Sequence, residues 1–208
     1  MKRVCPLAVM IALAIPAFGS SLNLSTGVTG GATYTVVEQN GYNSGATATA
    51  TVVTSSDADW YSGWVPNSSS SAWIAFNPNN CCVNGLGDYS TTFTLTSADL
   101  SKVALSGSWT LDDAGELLLN GNVIGTLGDN NWGSLTSFSV LAGSSDFVLG
   151  TNTLSIDITD TDSYLEGVNL NGTLTGAVTT PEPSSLGLMC LGVLGLLLVG
   201  RKRLQLPA

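Results

Sequence analysis

Two kinds of grouping in this sequence could do chemistry: carboxylates beside aromatic rings, and carboxylates beside one another. The stretch Asp57-Ala58-Asp59-Trp60-Tyr61-Ser62-Gly63-Trp64 sets acids among rings, and Trp132 follows Asp129-Asn130-Asn131. A sugar offers C–H groups to an aromatic face and hydroxyls to carboxylates and amides. Asp57, Asp59, Trp60, Tyr61, Trp64 and Trp132 are therefore the candidate carbohydrate-binding residues. The plainer reading of any one ring is a cap on the edge of a core. Trp73 and Trp109, set in apolar stretches, are assigned to the core outright.

The acid groups are Asp112-Asp113 with Glu116, and Asp157, Asp160 and Asp162 with Glu166. These are hard oxygen ligands of the kind calcium takes, but Asp160-x-Asp162 lacks the glycine and closing glutamate of an EF-hand loop. Solvated acidic loops are the plainer reading and no cofactor is expected, with calcium at Asp157, Asp160 and Asp162 as the alternative. Of the four cysteines, Cys5 and Cys190 lie in apolar terminal segments, leaving the adjacent pair Cys81-Cys82. Neighbouring α-carbons sit about 3.8 Å apart, under the usual disulfide range of about 4.4–6.8 Å, so a vicinal bridge would be strained. The pair is read as either that bridge or free or intermolecular thiols. Two thiols without any histidine make a poor zinc site.

Catalysis finds no support. The absence of histidine removes Ser-His and Cys-His nucleophile pairs. Asp112 and Asp113 would point to opposite faces of a strand, which ill suits a glycosidase carboxylate pair. No glycine-rich phosphate loop or dinucleotide fingerprint follows a strand. The expectation is a non-enzyme with no catalytic residues.

The elements that must position these side chains read as strands. Thr/Val/Ala alternation marks Ala32 to Val37 and Thr47 to Val53; Trp73 to Phe76, Tyr89 to Thr96, Val103 to Leu111, Thr136 to Leu141 and Val168 to Val178 follow. Asn152 to Thr159 alternates Leu154, Ile156 and Ile158 against Ser155, Asp157 and Thr159. Glu116 to Leu119 and Asn122 to Leu127 flank Asn120-Gly121, which suits a type I′ hairpin because both central residues tolerate positive φ. Helical periodicity is missing between the termini, so the class is all-β, an antiparallel two-sheet sandwich.

The termini are of another kind. Met1-Lys2-Arg3, the apolar Val4 to Ile15 and Ala17-Phe18-Gly19 form a signal peptide over 1–19, cut by signal peptidase after Gly19. Residues 184–200 are 17 uncharged residues rich in Leu, Gly and Val, followed by Arg201-Lys202-Arg203. A helix of that length reaches about 25 Å against a hydrocarbon core of about 30 Å, and the basic side chains can extend to the interface. This predicts a transmembrane helix over 184–200 in contact with membrane lipid, with a basic cytoplasmic tail over 201–208 and the rest outside. Between the termini the predicted organisation is a Ser/Thr/Gly-rich segment at 20–45, partly unstructured, a sandwich domain at 46–178 and a linker at 179–183.

Residues 20–180 hold fourteen acids against the single Lys102, a net charge of −13. Such a surface repels nucleic acid, which is excluded as a partner.

Thr179-Thr180-Pro181-Glu182-Pro183, the short Gly/Leu-rich span and the closing basic cluster together resemble the PEP-CTERM sorting signal of Gram-negative bacteria. The resemblance implies that Pro181, Glu182 and Pro183 are read by an exosortase, a membrane enzyme encoded with exopolysaccharide genes. It implies an exported protein, held at the inner membrane with its domain in the periplasm and then passed to the cell surface or extracellular matrix. A second resemblance covers about Trp73 to Gly176. Ser108-Trp109-Thr110-Leu111-Asp112-Asp113, Leu119-Asn120-Gly121 and Gly150-Thr151-Asn152-Thr153-Leu154 look like galactose-binding-domain-like jelly rolls. This implies a jelly-roll β-sandwich, the fold of many carbohydrate-binding modules. The functions carried forward are a structural or interaction protein of surface or matrix, and a module recognising surface or matrix polysaccharide. A calcium-dependent adhesin and a glycan-acting enzyme rank behind both.

Overall fold

The computed structural model describes residues 21–38, 45–77, 87–95, 100–159 and 165–176. The signal segment, Cys81-Cys82, Asp160, Asp162, Pro181-Glu182-Pro183, the 184–200 span and Arg201-Lys202-Arg203 lie outside the described residues. The strands, in chain order, are β1 (Leu22–Asn23), β2 (Thr35–Glu38), β3 (Thr47–Thr49), β4 (Thr51–Val52), β5 (Ile74–Ala75) and β6 (Gly87–Leu95). A 3-10 turn, η1 (Leu100–Lys102), leads into β7 (Ala104–Asp112), β8 (Ala114–Leu119), β9 (Asn122–Leu127), β10 (Thr136–Val140), β11 (Gly150–Thr159) and β12 (Gly167–Thr175).

Sheet I has the order β10-β7-β12-β5-β4, with β1 also on β12; sheet II has the order β3-β2-β6-β11-β8-β9. Every pairing is antiparallel. The chain crosses between sheets at β1–β2, β3–β4, β5–β6, β6–β7, β7–β8, β9–β10, β10–β11 and β11–β12, giving the expected all-β sandwich of jelly-roll type. Among the described residues no helix is long and apolar enough to cross a membrane.

Period-two alternation builds the core. Along β11, Asn152, Leu154, Ile156 and Ile158 are buried while Ser155 and Asp157 face outward. Tyr89, Phe93, Leu117, Leu154 and Ile156 of sheet II meet Leu105, Trp109, Leu111, Val168 and Leu170 of sheet I. Trp109 is buried in this core, as expected, whereas Trp73, also buried, lies outside it in a second cluster. The β8–β9 hairpin turns through Asn120 at φ 54° and Gly121 at φ 81°, the two positive values a type I′ turn needs.

Two expectations change. Thr47 to Val53 is not one strand: β3 pairs with β2 in sheet II, whereas β4 pairs with β5 in sheet I. The switch falls at Ala50, whose N–H donates to the Tyr34 carbonyl. The segment 20–45 also does more than precede the domain. β1 joins sheet I, β2 joins sheet II, and Leu24, Tyr34 and Val36 enter the core. Its hydroxyls serve the fold: buried Thr26 donates through Oγ1 to the Ala72 carbonyl at 2.6 Å, and Tyr34 Oη to the Leu24 carbonyl at 2.8 Å. Composition alone resembles a solvated coil, but satisfied buried hydroxyls are compatible with a core edge.

Candidate functional site

The long connection between β4 and β5 folds over the outer side of sheet I, where β7 ends and β12 begins. There it encloses a second apolar cluster of Val53, Trp64, Trp73, Ala75 and Leu165, with Trp60, Val65 and Trp132 packed against it. Alternation explains why this is not the main core: Ile74 points between the sheets, so Trp73 and Ala75 point away from it.

The connection opens with a tight turn closed by Asp57, whose Oδ2 accepts from the Thr54 N–H at 2.7 Å and the Thr54 hydroxyl at 2.8 Å. Trp64 is only 2% exposed. It stacks on Trp73 with centroids 4.1 Å apart and planes 15° apart, and its Nε1–H donates to Asp112 Oδ2 at 2.5 Å. Gly167 is the floor: a Cβ there would lie 3.1 Å from Trp64 and 3.2 Å from Trp73. Trp73 Nε1–H donates to the Val65 carbonyl, and Asn67 ties Trp73 N–H to the Val53 carbonyl.

Upon this base stands an open corner. Trp60 meets Trp64 edge-on at 5.8 Å, and Tyr61 meets Trp132 at 5.8 Å with planes 81° apart. The two loops are joined by the Val65 N–H donating to the Trp132 carbonyl at 2.8 Å. The Trp132 loop is also tied to the sheet by Thr110 Oγ1, which donates to the Asn131 carbonyl at 2.7 Å. Tyr61 is exposed, and Trp60 and Trp132 are half-buried. Of the four candidate rings, three therefore reach the surface together, while Trp64 turns inward and buttresses them.

The acids have distinct places. Asp57 is engaged in its turn. Asp59 is buried, and that burial, followed by the charge of Asp57, raises its carboxyl from 3.8 to about 6. Tyr89 donates to Glu166 Oε1 at 2.8 Å. Burial foremost, then the Glu166 charge and hydrogen bond, raise its phenol, with Asp59 adding a smaller push. Asp112 and Asp113 are both buried, so the solvated-loop reading does not hold for them: Asp112 ends β7 beneath Trp64. On the outer side of sheet II, Asp157 of β11 stands opposite Asp88 of β6 and Glu116 of β8. Desolvation, then Asp88 and Glu116, raise the Asp157 carboxyl against a lowering bond from Ser155. Among the described residues no three carboxylates or thiols are grouped so as to hold a metal ion.

Sequence reasoning passed over Asn152 as a structural residue. Fully buried, it accepts from Val148 N–H and Asn120 Nδ2 at 2.9 Å each, and donates to the carbonyls of Val148 and Gly150. An amide at an inward position of an alternating strand was the available signal.

Residues 179–203 match the PEP-CTERM protein-sorting motif, as the resemblance implied. No curated protein matches the chain in sequence. Among solved structures, the chain is similar to the CBM36-1 domain of a multidomain xylanase from the hindgut metagenome of Trinervitermes trinervoides. That match has 13% identity and a TM-score of 0.33, covering 71% of this chain and 99% of that one. A carbohydrate-binding module CBM36 in complex with calcium and xylotriose matches at 12% identity and TM-score 0.34, covering 68% and 98%. A family 35 carbohydrate binding module from Clostridium thermocellum matches at 12% and 0.32, covering 66% and 90%.

Proposed function

We propose that this is an exported, non-catalytic protein, delivered through its C-terminal segment to the cell surface or exopolysaccharide matrix, where the sandwich serves as an interaction domain. The match of residues 179–203 to the sorting motif carries this reading. Signal peptidase removes 1–19, and the 184–200 span holds the chain in the inner membrane with the sandwich in the periplasm. An exosortase then reads Pro181-Glu182-Pro183. A proline on each side disfavours a helical conformation for the residue between, which suits reading of the motif as a peptide at the membrane surface. The non-catalytic assignment agrees with buried Asp112, whose Oδ2 is engaged by Trp64. Mass spectrometry of the mature protein from native cells tests the whole. The expected species begins after Gly19 and lacks the apolar span, and Pro181→Ala/Pro183→Ala retains the span. A soluble cytosolic chain with Met1 and Ala208 both present would overturn the reading.

A second reading, polysaccharide recognition, is favoured by the Tyr61–Trp132 corner. Two rings nearly at right angles offer one face to the C–H side of a sugar and a wall to its edge, on two loops that a backbone hydrogen bond already ties together. Retention of the mature protein on matrix polysaccharide should weaken roughly tenfold in Tyr61→Ala or Trp132→Ala. No retention on any glycan would leave the first reading alone.

A further inference from the structure

The end of the sandwich opposite the aromatic corner is built differently. There β7 begins, β12 ends, and the chain leaves at Gly176, packed against the Lys102 carbonyl. Beside this exit lies the connection from β10 to β11, tied to the same 3-10 turn by Gly143 N–H donating to the Leu100 carbonyl. Leu141, Val148 and Leu149 of that connection are 76%, 43% and 60% exposed. Their exposure is imposed by a rigid loop: Phe147 is plugged into the core, Asn152 holds both polar backbone groups of Val148, and Asn120 holds the Asp146 carbonyl. Three apolar side chains fixed outward on an ordered loop form a surface waiting for an apolar partner.

The chain itself indicates that partner. Seven residues, Ala177 to Pro183, separate Gly176 from the apolar span starting at Ser184. Fully extended they reach about 25 Å, so a span seated in lipid keeps this end of the domain close to the headgroups. We infer that Leu141, Val148 and Leu149 dock the sandwich onto the surface of the bilayer that holds its own C-terminal span, with the aromatic corner facing away. This rests on the anchoring proposed above. The net charge of −13 for residues 20–180 opposes anionic headgroups, so the attraction is apolar and a zwitterionic surface suffices.

The test uses the full chain in phosphatidylcholine vesicles brominated along their acyl chains. Flotation after high-salt and alkaline washing checks the anchoring first; a chain that does not float ends that reading, and this one with it. In floating vesicles, Leu149→Trp should show blue-shifted emission quenched by bromine, whereas the five native tryptophans of the parent chain should stay unquenched. Adding Leu141→Asp and Val148→Asp to Leu149→Trp should cut the quenching severalfold while flotation persists. A floating Leu149→Trp chain whose added emission stays red-shifted and unquenched overturns the docking but leaves the anchoring intact. A blue shift that emerges without lipid and grows with protein concentration assigns the loop to a second copy and likewise overturns it.

Discussion

Asp59 has the most testable chemistry of any single side chain. Its carboxyl sits at about 6 in the folded protein against 3.8 ordinarily, so the native state holds this proton more tightly than the unfolded chain does. The resulting stability is full below about pH 4 and is lost as pH climbs through 6. Asp59→Asn should therefore raise Tm at pH 7–8 and change little at pH 4, with a gain of up to about 3 kcal/mol, less where water reaches the carboxyl. Circular dichroism melts across pH read this directly. Trp64 is the opposite case, a polar contact that the fold needs. Trp64→Phe keeps a ring on Trp73 but strips the donor from buried Asp112, and should cost about 1–3 kcal/mol in denaturant unfolding. The sequence showed which residue types stood together, since rings and acids are adjacent in the chain. Which ring faces inward was not legible. It depends on Asp112, Trp73 and Gly167, which belong to three different strands or their edges.

Among elements, the strands were largely legible because alternation and the Asn120-Gly121 turn are local signals. The split at Ala50 and the incorporation of β1 and β2 were not, since both follow from which sheet edge a short segment meets. Cross-strand registry also creates the row Asp88–Asp157–Glu116, with three acids from three strands on one side of sheet II. Glu116→Lys converts a like-charge neighbour of Asp157 into an opposite one. It should stabilise by roughly 0.5–1 kcal/mol at low ionic strength, with the gain shrinking in high salt. The β10–β11 connection depends on Asn152. Asn152→Ala removes all four of its side-chain hydrogen bonds and should cost about 3 kcal/mol or more, with faster amide exchange concentrated at 146–150.

For the whole molecule, destination and fold come from separate stretches of chain, and the sequence disclosed them unequally. The sorting segment is contiguous, so it could be read from residue order and is matched over 179–203. The arrangement of the sandwich's two ends depends on folding and could not be. With fourteen acids and one lysine in residues 20–180, self-repulsion works against compactness. Tm should thus rise by a few degrees between low and physiological salt, and EDTA should leave it unchanged; a calcium-dependent rise would instead bring Asp157, Asp160 and Asp162 into one site.

The antiparallel ladder between β7 and β12 joins nine registered pairs, from Gly167 with Asp112 to Thr175 with Ala104. Its bonds lie crosswise to the strands. A pull applied between the Tyr61–Trp132 corner and the exit at Gly176 runs lengthwise along that ladder. The force is then shared in shear by the whole row, whereas peeling from one edge would break the pairs one at a time, so the domain resists tearing best along the line joining these two ends.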